Sequence, residues 1–144
     1  MKWVTHKDVT ADGIASCWLI ERFLDRTAEI FFVDEPRVLE TAASKDAVPF
    51  DLPRHPELRF TQHNGLSTFE SLVREFNLED PGLQHLARIV HAAEFVEADH
   101  APEAPGFRAV TEGFRALSTE DAPRLQWGYS VCDALYVWCR QRTP

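Results

Sequence analysis

Strand-like patterning is confined to the first 63 residues of this 144-residue chain. Three short segments carry it. Residues 2–5 ("KWVT") form the first, and residues 28–34 ("AEIFFVD") are a compact apolar run between polar residues. Residues 57–63 ("ELRFTQH") alternate apolar and polar side chains. From Ser67 onward the apolar residues recur at helical spacing. Three short strands followed mostly by helices predict an α-rich α/β fold, a small three-stranded sheet surrounded by five to six helices. Strands separated by helices favour parallel pairing for at least the first two.

Helix signals support this layout. Asp12 stands where it can cap the first helix, whose apolar face is Ile14, Ala15, Trp18, Leu19 and Phe23. "EPRVLETAASKD" opens on Glu-Pro and reads as a short helix, whereas "AVPFDLPRHP" holds three prolines and reads as a loop. Ser67 and Glu70 make a capping box ahead of Phe69, Leu72, Val73 and Phe76. Asp80 and Pro81 start another helix with Leu83, Leu86, Ala87, Val90 and Ala93 inward. Residues 96–106 read as a polar loop, and two more helices follow it. No repeat or linker divides residues 1–144, which predicts a single domain.

Charge and cysteine usage exclude several classes. Fifteen Lys and Arg against 23 Asp and Glu give a net charge of −8, which argues against nucleic-acid binding. Three cysteines without a CxxC pair argue against a disulfide framework or a thiolate zinc site. Cys132 and Cys139 lie seven apart on one helical face and are expected to be buried thiols. No apolar run approaches the roughly 20 residues of a membrane span, and the N-terminus lacks the apolar stretch of a signal peptide. The expectation is a cytoplasmic protein without a membrane partner, with room left for a homo-oligomer.

Candidate chemistry rests on scattered polar residues. His63 follows a strand candidate and Glu70 starts the next helix; the pair could share a metal, or be a loop histidine and a capping residue. His91 and Glu94 share one helical side, the arrangement of bundle metal sites, or of a solvated face. Asp133 interrupts the most apolar helix and needs a partner if buried. Together these are hard or borderline ligands, suited to a divalent ion such as Mn, Fe or Zn. Such a site could polarise a small oxyanion or activate water. His6 and Asp8 read as ordinary loop residues.

The segments "DGIASCWLIERFLDRTAEIFFV", "PFDLP", "HNGLSTFESLVREFNL", "DPGLQHLARIVHAAE", "PEAPGFRAV" and "DALYVWCR" occur in this order. Together, across residues 3–140, they resemble the C-terminal domain of the chromate-resistance (ChrB) family. The resemblance implies a metal- or oxyanion-binding module in stress and metal resistance. Alternatives are a small metal-dependent enzyme or an interaction domain whose pocket has decayed. In the leading picture His63, His91 and Glu94 are metal ligands, and Asp12 and Asp133 orient the histidines. Glu70 is a ligand or a proton acceptor, and Trp18 and Asp133 border the bound group; in the enzyme alternative Glu70 or Asp12 is the catalytic base. This chain departs from the family pattern at Gly13, where arginine is usual, and at Ser16 and Ser67, where cysteines are usual. Those departures put thiol chemistry and one oxyanion contact in doubt.

Overall fold

The computed structural model describes residues 1–95 and 101–143, so residues 96–100 of the expected polar loop lie outside the described residues. Among the described residues three parallel strands, β1 (Lys2–His6), β2 (Glu29–Val33) and β3 (Val48–Pro49), form one sheet in the order β2-β1-β3. Trp3 of β1 pairs with Ile30 on one side and Val48 on the other. Among the described residues six α-helices pack with the sheet: α1 (Ala11–Leu19), α2 (Val38–Lys45), α3 (Thr68–Glu75), α4 (Pro81–Glu94), α5 (Ala104–Leu117) and α6 (Asp121–Gln141). The α-rich α/β expectation holds, including parallel pairing of the first two strands.

The third strand is not where alternation placed it. Residues 57–63 form no strand, and β3 comes from the proline-bearing stretch read as a loop. β3 is an edge strand, where proline's missing N–H costs no ladder bond. Phe60 is buried, yet backbone groups beside it meet single partners rather than a ladder. The Asp51 N–H donates to Phe60 O at 2.8 Å, and the Ser71 hydroxyl donates to Thr61 O at 2.8 Å.

β1 divides the interior. Its Val4 side joins a small cluster with Val38, Ala47 and Leu52 beneath α2. Trp3 belongs to the main core with α1, α3, α4 and α6. Every residue of α1 is buried, so this helix is the centre of the molecule rather than a surface element. A π-helical turn, Ile20–Leu24, extends it. At Gly128 of α6 a Cβ would lie 2.4 Å from Ile14 Cγ2, so glycine permits the close approach of α6 to α1. Cys17, Cys132 and Cys139 are all buried free thiols. No helix among the described residues is long and apolar enough to cross a membrane.

Candidate functional site

A fully buried α1 brings two polar side chains, Asp12 and Ser16, into the core, and both need partners. Asp12 does not cap its own helix, as its sequence position led us to expect. It already lies inside the first turn, and its carboxylate reaches the start of α3. Oδ2 accepts the Thr68 N–H and the Gln62 amide, both at 2.9 Å. Oδ1 accepts the Phe69 N–H at 3.0 Å and the Ser16 hydroxyl at 3.4 Å. Four donors fill the lone-pair sites of a carboxylate. Burial, and then the charges of Asp51 and Glu94, push the Asp12 pKa up to about 8, while the Thr68 and Phe69 amides oppose the rise.

The cap of α1 comes from α4. Glu94 Oε1 accepts the Thr10 hydroxyl at 3.0 Å and the Asp12 N–H at 3.2 Å. A carboxylate here also meets the positive end of the α1 dipole.

Glu70 completes the capping box of α3 by accepting the Ser67 N–H at 2.8 Å. The same oxygen lies 2.6 Å from His91 Nδ1. A carboxylate shared in this way accepts from both, so the Nδ1 of His91 carries a proton. Both side chains are about one-fifth accessible, at 21% and 23%.

Asp51 and His6 form a further pair that sequence reasoning missed. Asp51 follows β3 in a left-handed conformation, φ 57°, which aspartate tolerates better than most residues. It is buried; Oδ1 accepts the Thr68 hydroxyl at 2.7 Å, and Oδ2 lies 3.5 Å from His6 Nε2. His6 Nδ1 donates to Lys7 O at 2.6 Å. Asp51 raises the His6 pKa to about 9, against the lowering effect of burial. His6 is the last residue of β1, with Asp51 favouring its charged form, and not an ordinary loop residue. Asp51 lies in "PFDLP", but no spacing rule ties that stretch to His6. A Cβ at Gly13 would lie 3.0 Å from Asp51 Oδ2, so a longer side chain at this position would start against that carboxylate.

Asp8 is structural as well. Arg124, buried on α6, donates to Asp8 Oδ1 at 2.7 Å and to Ser118 O at 2.9 and 2.6 Å. The Asp121 carboxylate accepts the Asp8 and Val9 N–H groups, each at 3.1 Å. These bonds clamp the turn before α1 to the α5–α6 corner.

The remaining candidates separate. Asp133 is half exposed rather than part of a buried stripe. It accepts the Trp18 indole N–H at 2.7 Å and a two-point contact from Arg22 at 3.1 and 3.2 Å. Arg22, then Trp18, hold its carboxyl below the usual range. Its bonded partners include no histidine. His63 Nδ1 lies 3.2 Å from Pro56 O, within its own loop. Thus the structure pairs Glu70 with His91 and joins Glu94 to Asp12, while His63 and the Trp18–Asp133 pair have separate partners. Among the described residues, no three His, Cys, Asp or Glu side chains are gathered as a metal-ligand group.

One cleft opens beside this network. It lies between the start of α1, the end of α4 and α5, with a volume of about 220 Å³. Thr10, Glu94, Arg108, Thr111, Glu112 and Arg115 contribute its polar lining. Arg108, Thr111 and Arg115 recur at helical spacing and so share one side of α5. Sequence patterning pointed to Glu94 but singled out neither arginine.

A family model described as "ChrB, C-terminal domain" matches residues 3–139. Protein ChrB of Cupriavidus metallidurans is 34% identical over 138 residues, covering 94% of this chain and 40% of that relative. The chain therefore spans about 40% of the length of the curated relative it matches. No solved structure matches it.

Proposed function

The chain belongs to the ChrB C-terminal domain family, and from that premise we propose that it acts in chromate resistance as an oxyanion-binding module. Its ligand sits in the cleft at the start of α1. The observation that carries this reading is the presence of two guanidinium groups, Arg108 and Arg115, in a cleft of about 220 Å³. That volume equals roughly seven waters at about 30 Å³ each, and it falls below the ~300 Å³ at which organic-ligand pockets begin. Arginine suits a small tetrahedral anion because its planar fork donates two parallel hydrogen bonds.

The cleft is balanced before a ligand enters. Glu94 and Glu112 offset the two arginines, and Arg108 donates to Glu112 at 2.9 Å. That pair is exposed, and exposed pairs contribute only about 0–1 kcal/mol, so Arg108 can exchange Glu112 for a ligand at little cost. Modest affinity with marked salt sensitivity follows. Titration calorimetry with sulfate and with chromate tests it. Saturable binding that weakens at least tenfold in Arg108→Ala/Arg115→Ala supports the module. Absence of heat with either anion at low ionic strength removes this reading.

A second reading, metal binding, is favoured by the Glu70–His91 pair. A carboxylate on one ring nitrogen fixes the tautomer and leaves the other nitrogen to coordinate, as in many metal sites. Elemental analysis of protein purified without a His-tag, beside His91→Ala, tests it. Near-stoichiometric Mn, Fe or Zn lost in the variant supports the metal; metal-free protein that takes up none of these ions when supplied argues against it.

A further inference from the structure

We infer that a second site, the groove between α3 and α4, binds a small organic anion with an apolar body and a carboxylate head. The groove encloses about 480 Å³, within the range of organic-ligand pockets. Leu66, Val73, Leu78 and Ala87 supply its apolar lining, and Arg74 and Arg88 its cations.

Both arginines lack their obvious partners. Arg74 stands four residues after Glu70 on α3, a spacing at which a glutamate and an arginine ordinarily pair. Glu70 is instead turned to the Ser67 N–H and to His91. Arg88 has Gln84 and Ala92 four residues away and His85 and His91 three away, so its own helix offers it no carboxylate. Glu70 and Glu79 also line the groove, yet among the described residues neither forms an ion pair with either arginine. Among the described residues neither guanidinium makes an ion pair, in a chain that carries a net charge of −8. Two arginines without an ion pair among the described residues, set beside an apolar surface, match a ligand with one anionic end and one apolar end. A carboxylate takes the guanidinium fork, and a short aliphatic or aromatic body covers Val73, Leu78 and Ala87.

This site is distinct from the α1 cleft, and its test is independent of sulfate or chromate binding there. Hexanoate serves as the probe, with hexylammonium and sulfate as controls. Two-dimensional ¹⁵N NMR of the full chain follows the amides of Val73, Leu78 and Ala87. Hexanoate is expected to shift them saturably, with affinity falling about tenfold in Arg74→Ala/Arg88→Ala. Neither control should move them. Because both arginines are exposed, the double variant should retain its fold, which the remainder of the spectrum verifies directly. Hexanoate that leaves these amides unmoved, hexylammonium that moves them equally, or binding undiminished in the double variant would each overturn the inference.

Discussion

The Asp12 carboxylate accepts the Thr68 N–H at 2.9 Å, so the first turn of α1 caps the first turn of α3 across 56 residues of sequence. Asp12→Ala strands the Thr68 and Phe69 amides and the Gln62 side chain in a buried site. A loss of about 3–5 kcal/mol is expected in urea unfolding, the range for breaking a buried, charge-assisted network. Asp12→Asn keeps one acceptor and should lose less. A loss below about 1 kcal/mol for the alanine variant would show that water replaces the carboxylate freely.

His6 makes stability fall as pH rises. The unfolded chain releases the imidazolium proton near pH 6.5, whereas Asp51 holds it in the folded protein to about pH 9. Its contribution is complete below pH 6.5 and is lost as pH rises through 9. The 3.5 Å separation from Asp51 is longer than a good hydrogen bond, so we expect only about 1 kcal/mol between pH 6 and 8. Urea titrations at the two pH values should show a smaller drop in His6→Asn than in wild type; equal drops would separate His6 from the effect.

Gly128→Ala introduces a methyl group 2.4 Å from Ile14 Cγ2. Overpacking of about 1–3 kcal/mol is expected in the thermal or urea midpoint. Shortening the opposing side chain with Ile14→Val should recover part of that loss, since the two positions share one space. Additive losses in the double variant would place the strain elsewhere.

Glu70 fixes the His91 tautomer. Nitrogen NMR should find the proton on Nδ1 in the wild type and a mixed or Nε2-protonated ring in Glu70→Ala. The same variant loses half of the capping box, worth about 1 kcal/mol of stability. An unchanged tautomer would mean that another group orients the ring.

Much of this was legible in the sequence. The capping box at Ser67 and Glu70, the Asp80 cap and the buried thiols at Cys132 and Cys139 follow from local spacing, and the structure contains each of them. Local spacing could not say where Asp12 points, because a carboxylate in a first turn can serve its own helix or a neighbour. Nor could it pair His6 with Asp51, or find Arg124 beneath Asp8, since those contacts join segments 45 and more residues apart. β3 was missed because alternation favours residues 57–63, while edge position makes the proline at 49 acceptable.

The carboxylates of the three helices form a closed circuit. Glu94 of α4 holds the start of α1, Asp12 of α1 holds the start of α3, and Glu70 of α3 holds His91 of α4. No member can open without releasing the next, so amide hydrogen exchange should register α1, α3 and α4 as one cooperative unit. An anion entering beside Glu94 would then be reported at His91, one turn away along α4 but two helices away along the circuit.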